Sequence, residues 1–195
     1  MSVRALVFVL AACILAGAMG CGGQRGEAPK VSRRGDSGPI PMPEEPAWKE
    51  GEITLPPYPR DQDLIPFEPT GQTTNRFYVD GSALTVDPDR VVRFPLVIRS
   101  AEGTRTVSYS GVNCKPGEWK DYAYGLDGNR WERVADPKWR QIRNLSFNNH
   151  QYTLAAEFLC YGGVMSGGPR GDAKSIVRRL RHPPAPEPRV PPRYD

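Results

Sequence analysis

VVRFPLVIRSAEGTRTVSYSGVNC, residues 91–114, decides the fold. Two runs rich in β-branched and aromatic side chains, VVRFPLVIRS (91–100) and TVSYSGVNC (106–114), stand on either side of Glu102-Gly103. A glycine between two such runs marks a hairpin turn, because it accepts positive φ. The pattern continues outward. FYVD (77–80) and SALTV (82–86) come before, separated by Asp80-Gly81; EWKDYAYG (118–125) and NRWERV (129–134) come after, with Asp127-Gly128 at the turn. Short runs in this order predict an antiparallel sheet. Pro95 has no N–H for a ladder and marks an edge or a bulge in its strand.

Beyond Trp139–Ile142, the stretch His150–Cys160 holds neither Gly nor Pro, and Tyr152, Ala155, Ala156 and Leu159 recur at helical spacing. This predicts one short helix lying against the sheet. Upstream, Trp48–Pro69 contains PPYP (56–59) and LIPFEP (64–69), where repeated X-Pro steps impose extended backbone and forbid a helix. That segment reads as a strap across the core, with Trp48, Tyr58, Leu64 and Phe67 as its packing points. The fold class is therefore α+β: a small antiparallel sheet with one C-terminal helix packed on it and a disordered tail at each end.

The tails follow from composition. Pro and Gly number 21 and 20 in 195 residues, and they crowd into residues 22–47 and 163–195. Such segments bury too little apolar surface to offset chain entropy. The expected organisation is a leader at 1–20, a flexible tether at 21–47, a folded domain at 48–162 and a basic, Pro-rich tail at 163–195. Net charge is +4, or +3 without the leader and its single Arg4, too weak to imply nucleic acid. Residues 168–195 nevertheless hold seven Lys and Arg against three Asp and Glu. A basic tail can rest against anionic head groups, although such tails commonly serve only solubility.

MSVRALVFVLAACILAGAMGC, residues 1–21, has a positive start at Arg4, an apolar run from Ala5 to Met19 and small residues before a cysteine, which is the pattern of a secretory signal. The apolar run falls short of the roughly 20 residues that span a bilayer comfortably. Ala18-Met19-Gly20-Cys21 is similar to a bacterial lipobox, with Gly20 in place and Ala18 and Met19 departing from it. Leu10-Ala11-Ala12-Cys13 fits the box better but leaves too short a hydrophobic run before it. Lipid attachment at Cys21 is thus expected, with ordinary signal-peptidase cleavage, for instance after Ala18, as the competing route. Gly22 rather than Asp follows the cysteine, which by the sorting pattern of Gram-negative lipoproteins implies the outer membrane, facing the periplasm. A 26-residue coil between anchor and domain has a root-mean-square reach of about 28 Å.

Lipidation leaves Cys114 and Cys160 as an even pair in an oxidising compartment, so a disulfide between them is expected. Closing a loop of that length stabilises a fold by about 4 kcal/mol on the chain-entropy view. No C-x-x-C spacing points to redox chemistry.

FYVDGSALTV, VVRFPLVIRSAEGTRTVSYSGVNC, EWKDYAYG, the tryptophans that follow and the closing LAAEFLC occur in the order of the CNP-one-like, or cryptic neisserial protein-like, family of small exported proteins. The chain resembles that family over residues 46–162, both cysteines included. Asp89-Arg90 stands where the family commonly has Asp-Gly. The resemblance implies fold and location; the family carries no established activity to transfer.

Catalytic groups are scarce. The two histidines, His150 and His182, support neither a two-His metal site nor a Ser-His-Asp triad, and no P-loop, G-x-S-x-G or H-E-x-x-H occurs. No catalytic residue, metal or cofactor is expected. The carboxylate pairs Glu118 with Asp121 and Asp80 with Asp87 leave a glycan hydrolase as the alternative, decided by their separation in space. Trp119, Tyr122, Tyr124, Trp131 and Trp139 form the candidate binding surface. Alternation places Trp119 on one face with residues 121 and 123, and Tyr122 with Tyr124 on the other. The reading is a lipid-anchored envelope protein that binds an envelope protein or cell-wall component without catalysis.

Overall fold

The computed structural model describes residues 47–145, 149–165 and 167–184. The leader, Cys21 and nearly all of the tether lie outside the described residues, as does the end of the tail. Eight strands form one antiparallel sheet: β1 (Leu64–Phe67), β2 (Arg76–Asp80), β3 (Thr85–Val86), β4 (Val91–Arg99), β5 (Arg105–Asn113), β6 (Glu118–Leu126), β7 (Arg130–Arg133) and β8 (Arg140–Gln141). The spatial order is β1-β2-β4-β5-β6-β7, with β3 beside β4 and β8 beside β6. The hairpin read from residues 91–114 is its centre, with Val91 opposite Asn113 and Arg99 opposite Arg105.

The outer edge of β4 is shared by two short strands, whereas that of β5 is paired with β6. Along β4, β2 pairs with Leu96–Arg99 and β3 with Val92 and Arg93. Pro95 falls in the gap between them, which is where a residue without an N–H is tolerated. The turns use the conformations their residues allow: Gly103 and Gly128 have positive φ, and so does Asn129. Arg90 also has positive φ, at 65°, with its N–H on Asp87 O at 2.8 Å. That left-handed backbone is one glycine adopts freely and arginine adopts at a cost.

Both faces of the sheet are covered. Val92, Phe94, Leu96, Val112 and Trp119 point into the main core, against helical segments. On the other face Tyr109, Tyr122 and Ala123 pack against Ile53 and Leu55 of the extended segment Trp48–Arg60, the first part of the predicted strap. The second part is corrected, because Leu64–Phe67 pairs with β2 as the edge strand β1 of the sheet. Among the strap's predicted packing points, Phe67 is buried, Tyr58 and Leu64 are half-buried, and Trp48 is 49% exposed; Ile65 takes the inward position instead of Leu64.

The helix expected over His150–Cys160 is present in two parts. Asn149–Thr153 (α1) is α-helical, and Leu154–Leu159 continues as a wider π-turn that closes with the Cys160 N–H on Ala155 O. Widening shifts the buried face, so Leu154, Ala155, Phe158 and Leu159 enter the core while Ala156 does not. Cys160 is bonded to Cys114 just past the end of β5.

The disordered tail expected from residue 163 is corrected. Cys160 bridges to Pro169, and Ala173–Arg181 is a second helix, α2, with Ile176 and Leu180 buried in the main core. Asp172 caps it by accepting from the Ser175 N–H. Averaged composition over 33 Pro- and Gly-rich residues hid a nine-residue amphipathic segment.

Candidate binding surface

The five aromatic residues of the candidate surface are divided by one irregularity. β5 and β6 pair Ser110 with Asp121 but Tyr109 with Ala123, so Tyr122 is an extra residue on β6. A bulge of this kind shifts the alternation of side chains by one. Ahead of it, Trp119 and Asp121 share the helix-covered face, with the indole N–H of Trp119 on Asp121 Oδ1 at 2.8 Å. Past it, Ala123 joins Tyr122 and Tyr109 under the strap, and Tyr124 swings round so that its hydroxyl donates to Asp121 Oδ2 at 3.2 Å. The expected pairing of Tyr122 with Tyr124 on one face is therefore corrected, as is that of Trp119 with residue 123.

Burial separates the five further. Trp119 is 1% exposed, a core residue with its ring edge-on to Phe94, and Tyr122 is buried. Neither is available as surface. Trp131 is half-buried between Tyr58 and Tyr109, donating to Pro56 O at 2.9 Å, and so fixes the strap. Tyr124, at 44% exposed, opens on the helix side, whereas Trp139 stands half-exposed at the strap. There it meets Trp48 edge-on at 6.0 Å between ring centroids, and the two indoles form the aromatic pair that reaches solvent.

Beneath this pair lies a buried ionic seat. Arg93 enters from β4 and gives one guanidinium nitrogen to Asp87 Oδ2 at 2.6 Å, while both of its terminal nitrogens reach Asp89, at 3.0 and 2.6 Å. Glu50 arrives from the strap. Its carboxylate accepts from Lys120 Nζ and from the Tyr122 hydroxyl, each at 2.7 Å, and from the Trp139 indole at 3.3 Å. Lys120 Nζ stands 5.3 Å from the centroid of the Trp139 ring, a cation–π contact that holds the indole from below. Asp89 also accepts the Gly51 N–H, and its backbone oxygen accepts the Trp48 indole N–H at 2.9 Å.

The electrostatics agree with a closed network. Burial pushes Glu50 upward, but the hydrogen bonds from Lys120 and Tyr122 and the lysine's charge outweigh it and hold the carboxyl below its usual range. Burial likewise raises Asp89, and the bonds from Arg93 and the Gly51 and Val91 amides bring it lower. Tyr122 is pushed well above the ordinary phenol value by burial and then by Glu50. At neutral pH the seat thus holds charged carboxylates, a charged guanidinium and a neutral phenol. That arrangement orients indoles and clamps a strap.

The carboxylates considered for hydrolysis are also engaged. Asp121 accepts from Ser110, Trp119, Tyr124 and Arg140, Glu118 from Gln141, and Asp80 from the Ser82 N–H and hydroxyl. Among the described residues no three His, Cys, Asp or Glu gather as a metal site. Sequence reading missed Glu50, Arg93 and Lys120. Arg93 had a signal, a charge inside an apolar strand with Asp87 and Asp89 just before it, whereas Glu50 lies 70 residues from Lys120 and has none.

A model of the CNP1-like family matches residues 43–181. The match includes α2 as well as the sheet. No similarity to a curated protein or to a solved structure was found.

Proposed function

The chain belongs to the CNP1-like family, and from that footing we propose that it is an envelope lipoprotein, attached through Cys21 to the outer membrane and facing the periplasm, whose folded domain is a non-catalytic interaction module. The contact surface is the Trp48–Trp139 pair, offered to an envelope protein or cell-wall component. One observation carries the interaction reading: two solvent-reaching indoles are held rigid by a seat whose charged groups are already paired with one another. Preorganised tryptophans supply large contact area at low entropic cost, and such residues dominate binding energy at interfaces. The address is supported by the leader sequence and by the buried Cys114–Cys160 bond, which suits an oxidising compartment.

Two measurements test the two halves. Intact mass of the protein from its native cells is expected to show loss of residues 1–20 and acyl chains at Cys21; a mature start elsewhere, or no acyl mass, removes the anchor. Photo-crosslinking in cells from Lys49, beside the indole pair, is expected to trap one defined component that a probe at Arg130, the first residue of β7, does not. Trp139→Ala should lower that yield about tenfold. Identical products from both positions would sink the surface.

A further inference from the structure

Helix α2 turns Ile176 and Leu180 into the core, with Ala173 and Val177 packed beside them. Its opposite side carries Lys174, Arg178 and Arg181, all exposed, at spacings of four and three that align side chains on one helix face. Three cations therefore stand in a row along about 10 Å of helix. Among the described residues none of the three forms an ion pair with a carboxylate. The positive surface extends beyond them. Arg179 donates Nε to Glu157 O at 2.6 Å, and the Arg170 guanidinium lies 5.9 Å from the centroid of Tyr161, which is 70% exposed. Burial and then the charge of Arg179 hold Arg170 below the usual arginine range.

We propose that the basic face of α2, built on Lys174, Arg178 and Arg181, docks the domain against an anionic phospholipid surface. A row of exposed cations on a helix fixed to the domain suits a head-group interface, where each side chain can meet a phosphate. Each Lys or Arg near an anionic leaflet gains roughly fivefold in binding. The inference rests in part on the anchored reading, since an acyl group at Cys21 keeps the domain within tether reach of a bilayer and raises its effective concentration there. Nucleic acid or an acidic protein offers the same charge, but no feature among the described residues points to either one on this face.

The chain from residue 21 onward carrying Cys21→Ser has no acyl group and isolates the second contact. It is expected to sediment with phosphatidylethanolamine vesicles containing phosphatidylglycerol and not with those lacking it, and to release as salt rises from about 50 to about 300 mM. Lys174→Gln, Arg178→Gln and Arg181→Gln together should weaken this binding on the order of 100-fold. An equal loss of charge at Lys49, Arg130 and Lys138, on the strap and around β7, should change it less than about threefold. The exposed positions of the first triple predict an unchanged melting midpoint. Sedimentation without preference for phosphatidylglycerol, or equal loss in both triples, overturns the docking face. Either result leaves the mass of the mature lipoprotein untouched, so failure here is distinct from failure of the anchor.

Discussion

Arg93 occupies a position that a strand rule assigns to an apolar side chain, third in VVRFPLVIR and 1% exposed. Its charge is tolerated because Asp87 and Asp89 meet the guanidinium directly and Glu50 stands 3.7 Å away. Removing one member of such a group strands the others in a low-dielectric site. Arg93→Met is expected to destabilise the domain by about 3 kcal/mol, read as a shift in the urea midpoint, because Asp89 would be left buried without its cation. Arg93→Lys should recover part of that loss, since it restores charge but not the two-pronged geometry. A cost below about 1 kcal/mol for the methionine variant would mean that water can replace the guanidinium.

At the scale of elements, the bulge at Tyr122 and helix α2 carry the differences between pattern and fold. EWKDYAYG reads as unbroken alternation, and no residue in it announces an inserted position; the bulge exists because β5 fixes the register on both sides of it. Helix α2 did leave a trace, with Asp172 three residues before Ser175 and Ile176, Val177 and Leu180 on one stripe. The surrounding glycines and prolines outweighed that trace. Ile176 is fully buried, so Ile176→Ala should cost about 2–4 kcal/mol by urea denaturation, while Lys174→Ala on the exposed side should cost less than about 0.5 kcal/mol. Equal, negligible effects would return residues 173–181 to the status of a tail.

Across the whole molecule, stability should depend on pH through four groups held by different parts of the chain. His150 stacks on Phe77 at 4.9 Å, and burial lowers its pKa against the opposing charge of Asp121. A histidine kept neutral in the fold binds its proton more readily once unfolded, so its contribution is complete above the ordinary value of 6.5 and is lost as pH falls below it. Glu50 and Asp89 are lowered too, from 4.5 and 3.8, so their contributions are complete above those values and lost at still lower pH. The melting midpoint should therefore be level from about pH 7 to about pH 9, and fall modestly through mild acid and more steeply below about pH 4.5. It should fall again above about pH 10, where the buried Tyr122 phenol stays neutral in the fold but ionises in the unfolded chain. His150→Gln should remove the first decline and keep the second; a wild-type midpoint that is flat through mild acid would contradict the buried, neutral imidazole.

What the sequence by itself determined is what neighbouring residues decide among themselves: the hairpin at 91–114, its turns, the strands on either side, and the extended strap. Periodicity and turn chemistry act over a few residues, so a linear reading captures them. Only the tertiary structure decided which face the strap covers, that Glu50 completes a site with Lys120 and Arg93, that Tyr122 and Tyr124 part company, and that α2 closes the core. Each of these depends on burial shared between segments tens of residues apart, a free energy that appears only once the sheet has brought them together.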